Sequence, residues 1–309
     1  MVPSLSLPVG PPSRQHTVPS LNPVVTVNPA TTTMKKDLFI IFQAGQEAVI
    51  FQTVAMDDHN KSLQKFHVPN GGDLHFFESG SKIYAVSGHG MLEISLSKSW
   101  ETIKRSVVQT IADPFIMVTR VGGETIGLTD TMRVYYQTKY THPTASWLPY
   151  KINGADVCRE VLMSGYVVVN DDTFIFCDAL TSLCFLFDMG AKQWRVAMNW
   201  AAFREDVPKT NGLLNGRCVF VDDFIYTCRN GGLAAHELIA EHGSEYIRKP
   251  IFLPFSWDAN CVGKDMCLDY AGKDKDSGSI FFYVVQGEYL SLSGLCIDYA
   301  CMVVFSCHL

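Results

Sequence analysis

The sequence predicts an all-β fold assembled from similar four-stranded units, and three observations carry this prediction. Short apolar runs, rich in β-branched and aromatic residues and bounded by Gly, Asn or Asp, recur from residue 37 onward. Residues 165–198 contain four such runs in succession. Three of the five tryptophans, Trp100, Trp147 and Trp194, are spaced by 47 residues and then by 47 again. A regular spacing of this kind indicates an internal repeat.

The clearest unit, residues 165–198, reads as an antiparallel meander. Its predicted strands are Tyr166 to Val169, Phe174 to Cys177, Leu183 to Phe187, and Trp194 to Met198. Asn170, Asp171 and Asp172, which separate the first two strands, favour a turn because their side chains bond to the local backbone. The inner runs are apolar on both faces, so we expect these strands to be covered on both sides.

Weaker copies of this unit appear at residues 72–100, 114–147 and 215–238. Two of the copies carry a double glycine, Gly122-Gly123 or Gly231-Gly232. Repeats of 40 to 50 residues, each containing four strands, are typical of a β-propeller. At this period the stretch between residues 38 and 290 has room for five or six blades.

The order of double glycine, tyrosine and tryptophan resembles a degenerate kelch repeat. The phrases FLFD at 185–188 and QWRV at 193–196 resemble propeller-type proteins expanded in grasses and other plants, many of them F-box-associated. This resemblance implies a kelch-like β-propeller over residues 37–290, related to substrate receptors of ubiquitin ligases. No helical F-box pattern is visible in the sequence. The expected repeat anchors, which pack one blade against the next, are Trp100, Trp147, Trp194, Gly122, Gly123, Gly231 and Gly232.

The two ends of the chain differ from this repeating body. Residues 1–36 contain seven of the 14 prolines, and this composition predicts a disordered leader. Residues 291–309 hold one acidic residue, Asp298, and three cysteines without a blade pattern. We interpret them as a truncated or alternatively spliced end that leaves the propeller incomplete, with a buried closing hairpin as the alternative. A membrane anchor is disfavoured because the apolar stretch is shorter than the ~20 residues that a spanning helix needs.

Composition and charge narrow the classes of partner. The 309 residues are 47% apolar and 18% charged, which suits a large core and excludes disorder of the whole chain. The net charge is −6, and the densest basic spots are only Lys35-Lys36 and Lys104-Arg105. We therefore expect no binding to nucleic acid, which requires a basic surface facing the phosphates.

The cysteines and the N-terminal sequence predict an intracellular protein with reduced thiols. No charged start followed by a long apolar run is present, so we expect the cytoplasm or nucleus and not secretion. Cys177, Cys184, Cys218 and Cys228 lie in or beside apolar runs, which indicates buried structural thiols. No cysteine pair has the C-x-x-C spacing of a zinc site, so neither a metal nor another cofactor is expected.

No arrangement of residues predicts catalysis. The pairs Asp171-Asp172 and Asp222-Asp223 are explained as turn formers, and the nine histidines share no metal-ligand spacing. Gly88-His89-Gly90 lacks the third glycine and the helix of a dinucleotide site and is interpreted as a hairpin turn. We therefore expect a protein that is not an enzyme.

The resulting prediction is an interaction module that binds another protein through loops at one end of the blades. The candidate contact residues are His89, Tyr140, His142, Arg229, Asn230, Phe255 and Trp257. A propeller that binds or acts on carbohydrate is one alternative, and it requires an axial pocket with at least two convergent carboxylates or histidines. A poorly folded, truncated isoform without independent activity is the other.

Overall fold

Strands account for every regular element that the structure describes, as the β-branched and aromatic runs predict. The computed structural model describes residues 26–27, 37–44, 47–54, 62–67, 75–79, 82–87, 90–95, 103–106, 114–137, 147–153, 159–199, 213–229, 232–241, 244–256, 266–273, 280–286 and 301–307. These ranges hold 25 strands, which group into five hydrogen-bonded sheets.

Blades A and B each consist of four antiparallel strands in chain order. Blade A contains β1 (Thr26–Val27), β2 (Asp37–Ala44), β3 (Glu47–Val54) and β4 (Ser62–His67). Blade B contains β5 (His75–Ser79), β6 (Lys82–Ser87), β7 (Gly90–Ser95) and β8 (Ile103–Ser106). Each strand pairs with the one before it, so both blades are up-and-down meanders.

Blades C and D repeat the same pattern. Blade C contains β9 (Phe115–Val121), β10 (Glu124–Thr129), β11 (Val134–Gln137) and β12 (Leu148–Pro149). Blade D contains β13 (Met163–Asn170), β14 (Thr173–Asp178), β15 (Cys184–Asp188) and β16 (Gln193–Asn199). The meander predicted within residues 165–198 is thereby confirmed, because its four strands fall on β13 to β16.

Sheet E departs from the simple meander. It contains β17 (Gly216–Arg217), β18 (Val219–Val221), β19 (Phe224–Arg229), β20 (Gly232–Glu241), β21 (Ser244–Ile247) and β22 (Ile251–Ser256). The long strand β20 pairs with β22 over its first half and with β21 over its second. Two short parallel pairings, β13 with β17 and β16 with β21, join sheet E to blade D as one ten-stranded sheet.

Sheet F contains three antiparallel strands, β23 (Met266–Lys273), β24 (Ile280–Gln286) and β25 (Cys301–Cys307). Strand β1 lies beside β23, which brings the first and last of the described sheets together. Strand β1 falls within the predicted leader 1–36, and β25 falls within the atypical segment 291–309.

The architecture is an all-β propeller in which four sheets, blades A to D, have the four-stranded blade pattern within the described residues. The predicted count of five or six blades is not confirmed. The difference arises at sheets E and F, because the first exchanges strand pairings with blade D and the second shows three strands.

The apolar core lies between neighbouring sheets. In strand β14, Phe174 and Phe176 face a cluster shared with blade C, whereas Ile175 and Cys177 face a cluster shared with sheet E. All four side chains have no exposed surface. Alternate residues of one strand therefore enter different cores, which explains why this run is apolar on both faces.

Gly165 marks the closest approach of blade D to sheet E. A Cβ atom at this position would lie 2.7 Å from both the Asn215 nitrogen and the Gly216 oxygen, where β13 pairs with β17. We expect Gly165→Ala to lower the free energy of unfolding by about 1–3 kcal/mol, because the backbones must separate to admit the methyl group. The midpoint of urea unfolding measures this change.

The matched control for this substitution is Gly190→Ala. Gly190 is exposed, and a Cβ there would approach no described atom closer than 3.4 Å. Its expected effect is within about 0.5 kcal/mol of zero. Equal losses for the two variants would contradict the tight junction at Gly165.

The prediction of reduced thiols is wrong for one pair, because Cys177 and Cys184 form a disulfide. They face each other across β14 and β15, with Cα atoms 4.1 Å apart. The next backbone bond, from Asp178 N to Leu183 O, places them at a non-hydrogen-bonded pair, where facing side chains approach most closely. Cys218 and Cys228 are both buried, and burial raises the pKa of the Cys218 thiol to about 12.

Candidate functional site

In blades C and D, the turns at the two ends differ in what they contact. The first turns of blades C and D are neighbours, because a Cβ at Gly122 would lie 2.5 Å from the Asp171 carbonyl oxygen. Gly122 also has a φ of +57°, which glycine adopts without strain. In an antiparallel meander the second turns lie at the opposite end. They comprise residues 130–133 in blade C and residues 179–183 in blade D.

Asp178 organises the second turn of blade D. Its side chain has no exposed surface and accepts four hydrogen bonds. Thr181 Oγ1 (2.6 Å) and Arg159 Nη2 (2.7 Å) donate to Oδ2, whereas the backbone N–H groups of Leu162 (3.0 Å) and Leu180 (3.2 Å) donate to Oδ1. A buried carboxylate with four donors is fully compensated for its loss of water.

The segment that enters blade D connects the second turns of blades C and D. Val161 N donates to the Asp130 carbonyl oxygen at 2.8 Å, and Ala179 N donates to the Leu162 carbonyl oxygen at 2.6 Å. Arg159, at the start of this segment, also donates to Thr181 Oγ1 at 3.0 Å. We call the surface formed by residues 159–162 and 178–183 the blade D corner.

Opposing influences act on the pKa of the Asp178 carboxyl. Burial raises it, but the hydrogen bonds from Thr181, Leu162 and Leu180 and the charge of Arg159 lower it, and the net pKa lies below its ordinary value. A depressed pKa in the folded state stabilises the fold above the unfolded value of about 3.9. This stability is lost as the pH falls through the folded-state pKa.

We therefore expect Asp178→Asn to flatten the acid limb of the stability curve. Wild-type protein should lose stability steeply below about pH 4 as Asp178 becomes protonated. The amide of the variant does not titrate, so the variant should lack the part of this acid-induced loss of stability that Asp178 causes. Urea midpoints measured between about pH 2.5 and 6 report the difference. Parallel acid limbs for the two proteins would contradict the assignment.

Two leucines lie exposed and side by side at the blade D corner. Leu162 is 57% exposed and Leu180 is 69% exposed. Their backbone N–H groups donate to the same oxygen, Asp178 Oδ1, so the two residues are fixed next to each other. Large apolar side chains held on a rigid, hydrogen-bonded turn at the surface are a feature of protein contact sites.

The second turn of blade C is one residue shorter than that of blade D and lacks this chemistry. Met132 and Ser182 occupy matching places with φ of +62° and +58°. Where blade D has Asp178, blade C has buried Thr129, whose Oγ1 accepts a hydrogen bond from Arg133 N at 3.1 Å. A hydroxyl cannot form the ion pair that Asp178 makes, so the second turn of blade C lacks this arginine–carboxylate pair.

Of the predicted anchors, Trp147, Trp194 and Gly122 lie at contacts within or between blades. Trp147 precedes β12 and packs on Phe115, with ring centroids 4.7 Å apart, in a cluster shared with blade B. Trp194 packs on Phe187 at 4.7 Å in the cluster shared by blades C and D. Gly123 follows Gly122 in the first turn of blade C, and Gly232 begins β20. Trp100 and Gly231 lie outside the described residues.

Two of the seven predicted contact residues lie in described strands. Arg229 ends strand β19 and Phe255 lies in β22. The remaining predicted residues, His89, Tyr140, His142, Asn230 and Trp257, lie outside the described residues.

Sequence reasoning missed the blade D corner. The available signal was Asp178 followed three residues later by Thr181, a spacing at which side chains bond to one another and to the turn. A second signal was the occurrence of two leucines outside the predicted strands.

The described ranges lack two other kinds of feature. No group of three or more His, Cys, Asp or Glu side chains is arranged to hold a metal ion there. Among the same residues, no helix is long and apolar enough to cross a lipid bilayer.

Comparisons with known proteins assign the fold. No protein-family model and no curated protein matches the chain. The outer coat vertex of COPII on membranes aligns with 87% of this chain and 73% of its own, with a TM-score of 0.53 and 9% identity. The COPII coat assembled on membranes gives the same score, identity and share of this chain, but this chain spans only 40% of that one. At such identities the likeness shows the β-propeller fold alone.

The N-terminal domain of Nup159 is a further similar structure. It aligns with 81% of this chain and 68% of its own, with a TM-score of 0.44 and 9% identity.

Proposed function

We propose that the chain is a protein-interaction module that binds its partner through the second-turn end of the blades. The observation that carries this proposal is the leucine pair, Leu162 and Leu180, exposed together on a corner that four hydrogen bonds to Asp178 hold in place. Exposed apolar groups on a preorganised surface lose little conformational entropy on binding and therefore favour association.

We propose a kelch-type repeat, supported by the double glycine Gly122-Gly123 and by the tryptophan spacing. We also propose a relation to ubiquitin-ligase substrate receptors, an intracellular location and the absence of enzymatic activity. The COPII structures belong to an assembled coat, and a similar fold in this chain suits a role in assembly.

No observation in the described residues favours the carbohydrate alternative. Asp178 is fully engaged by its four donors, and Asp269, another buried acid, lies 3.8 Å from Arg217. We therefore propose a single function.

Site-specific photocrosslinking tests the proposal. A photoreactive amino acid at position 180 reports on the second-turn end, and the same group at position 171 or 223, both exposed in first turns, serves as the matched control. The full-length chain is expressed in cells of its source organism and irradiated. We expect a reproducible crosslinked protein at 180 and not at 171 or 223. Equal crosslinking at all three positions, or none at 180, would overturn the proposal.

A further inference from the structure

Arg159 uses only part of its hydrogen-bonding capacity within the blade D corner. A guanidinium group has five N–H donors, and both bonds that Arg159 forms, to Asp178 and to Thr181, come from Nη2. The side chain is 36% exposed. Within the part of the chain that the structure describes, Nε and Nη1 have no acceptor assigned to them. The blade D corner therefore presents a partly exposed guanidinium with three N–H groups that can donate to a partner.

The orientation of this guanidinium is fixed. Two hydrogen bonds hold Nη2, and the group lies over the Phe185 ring with its central carbon 5.3 Å from the ring centroid. Stacking on an aromatic ring and bonding to a buried carboxylate limit the rotamers that Arg159 can adopt. A preorganised arginine loses less entropy when it binds a further acceptor.

Arg195 of the same blade shows how such a guanidinium binds two carboxylates at once. Its Nη2 lies 3.1 Å from Asp188 and its Nη1 lies 2.9 Å from Glu245 of sheet E. Its exposure, 35%, is nearly that of Arg159. Arg159 likewise forms one ion pair through Nη2, with Asp178, and has no second carboxylate partner within the described residues.

We propose that Arg159, Leu162 and Leu180 form a recognition site for a peptide segment in which an acidic side chain lies close to an apolar one. The acidic group binds the free side of the Arg159 guanidinium, as Glu245 binds Arg195. The apolar group packs on the leucine pair. This inference rests on the proposed interaction function and names the chemistry of the partner.

The leucine pair and Arg159 contribute differently to binding. Apolar contact with Leu162 and Leu180 removes exposed hydrocarbon from water and supplies affinity without regard to charge. A charge-assisted bond from Arg159 to a carboxylate is stronger than a bond to a neutral amide, so it supplies the preference for an acid. The ratio of binding to acidic and amide peptides therefore measures Arg159 alone.

The test uses an array of blocked nonapeptides in a Gly-Ser background. Each peptide carries a Leu-Phe pair and one Glu placed one to four residues away on either side, and each has a counterpart with Gln in place of Glu. The labelled full-length chain is applied to the array. We expect the best Glu peptides to bind about tenfold or more tightly than their Gln counterparts.

Four variants separate the contributions. Arg159→Gln should abolish the Glu preference, and Arg159→Lys should restore part of it because the charge is kept. Leu162→Ser combined with Leu180→Ser should weaken binding to both peptide sets while leaving their ratio unchanged. Arg195→Gln is the matched control, because Arg195 is already paired with two carboxylates of the chain itself. This variant should bind the peptides as the wild type does.

The outcomes decide the inference. Equal binding of the Glu and Gln peptides by the wild-type chain, or a Glu preference that survives in Arg159→Gln, overturns it. If Arg159→Gln does not melt cooperatively, the leucine double variant decides, since unchanged retention by that variant also overturns the site. Crosslinking at position 180 without any acidic preference leaves the interaction function standing and rejects only the acidic-apolar partner.

Discussion

Asp178→Ala should lower the free energy of unfolding by about 3–5 kcal/mol, because three buried or partly buried donors and one arginine lose their shared acceptor. The backbone N–H groups of Leu162 and Leu180 have no alternative partner among the described residues once the carboxylate is removed. The entering segment of blade D then keeps its backbone bonds to the neighbouring turns and the contacts of Arg159 with Thr181 and Phe185, but loses its links to the carboxylate. Urea unfolding of the full-length chain measures the loss.

Asp171→Ala is the matched control for this substitution. Asp171 belongs to the same blade but is exposed in the first turn, so removal of its side chain should change stability by no more than about 0.5 kcal/mol. Asp178→Asn should fall between the two, because the amide keeps an acceptor for the backbone donors but loses the ion pair with Arg159. A loss for Asp178→Ala no greater than that of the control would refute the corner as a structural element.

Phe187→Ala should also cost about 3–5 kcal/mol, since it removes the centre of the largest aromatic cluster described. The Phe187 ring is fully buried and contacts Trp194 at 4.7 Å, Phe174 at 5.5 Å and Tyr150 at 5.6 Å between centroids. Blades C and D share this cluster, so the cavity weakens the joint between two blades as well as the interior of one. The shift in the urea midpoint reports the cost.

Val196→Ala provides the comparison in the same sheet. Val196 is 52% exposed in β16, so its truncation should have an effect within about 0.5 kcal/mol of zero. Near-equal effects of the two truncations would mean that the blade C–D cluster does not carry the stability assigned to it.

Blade D could be predicted almost to the residue because its sequence satisfies two constraints at once. Alternate residues of β14 enter cores on opposite sides, so the whole run is apolar. The polar turn at Asp171 and Asp172 interrupts it where the chain must reverse. A strand covered on both faces and bounded by turn residues leaves a clear signal in the sequence.

The blade D corner could not be predicted, because it depends on contacts between separate parts of the chain. Leu162 and Asp178 are 16 residues apart, and their hydrogen bond exists only because the entering segment passes over the second turn. The disulfide was missed for a related reason. The spacing of Cys177 and Cys184 has no special meaning until the register of β14 and β15 places the two residues opposite each other.

The blade count depends on pairings that periodicity does not reveal. Strand β20 is long enough to pair with β22 and then with β21, and the second hairpin reaches blade D. The regular tryptophan spacing does not reveal such an exchange of strand pairings, because the exchange depends on strand length and not on the period of the sequence.

The parallel pairings at Gly165 with Gly216 and at Met198 with Tyr246 have a consequence for the evolution of the chain. Repeats are usually gained or lost one at a time, because each blade completes its own hydrogen bonding. Strands β17 and β21 of sheet E pair with the two edge strands of blade D, β13 and β16, so deletion of sheet E would leave both edges of blade D unpaired, and deletion of blade D would leave β17 and β21 without these partners. In the history of this gene the two are therefore expected to have been inherited as a pair, and a lineage that lost one should have lost both.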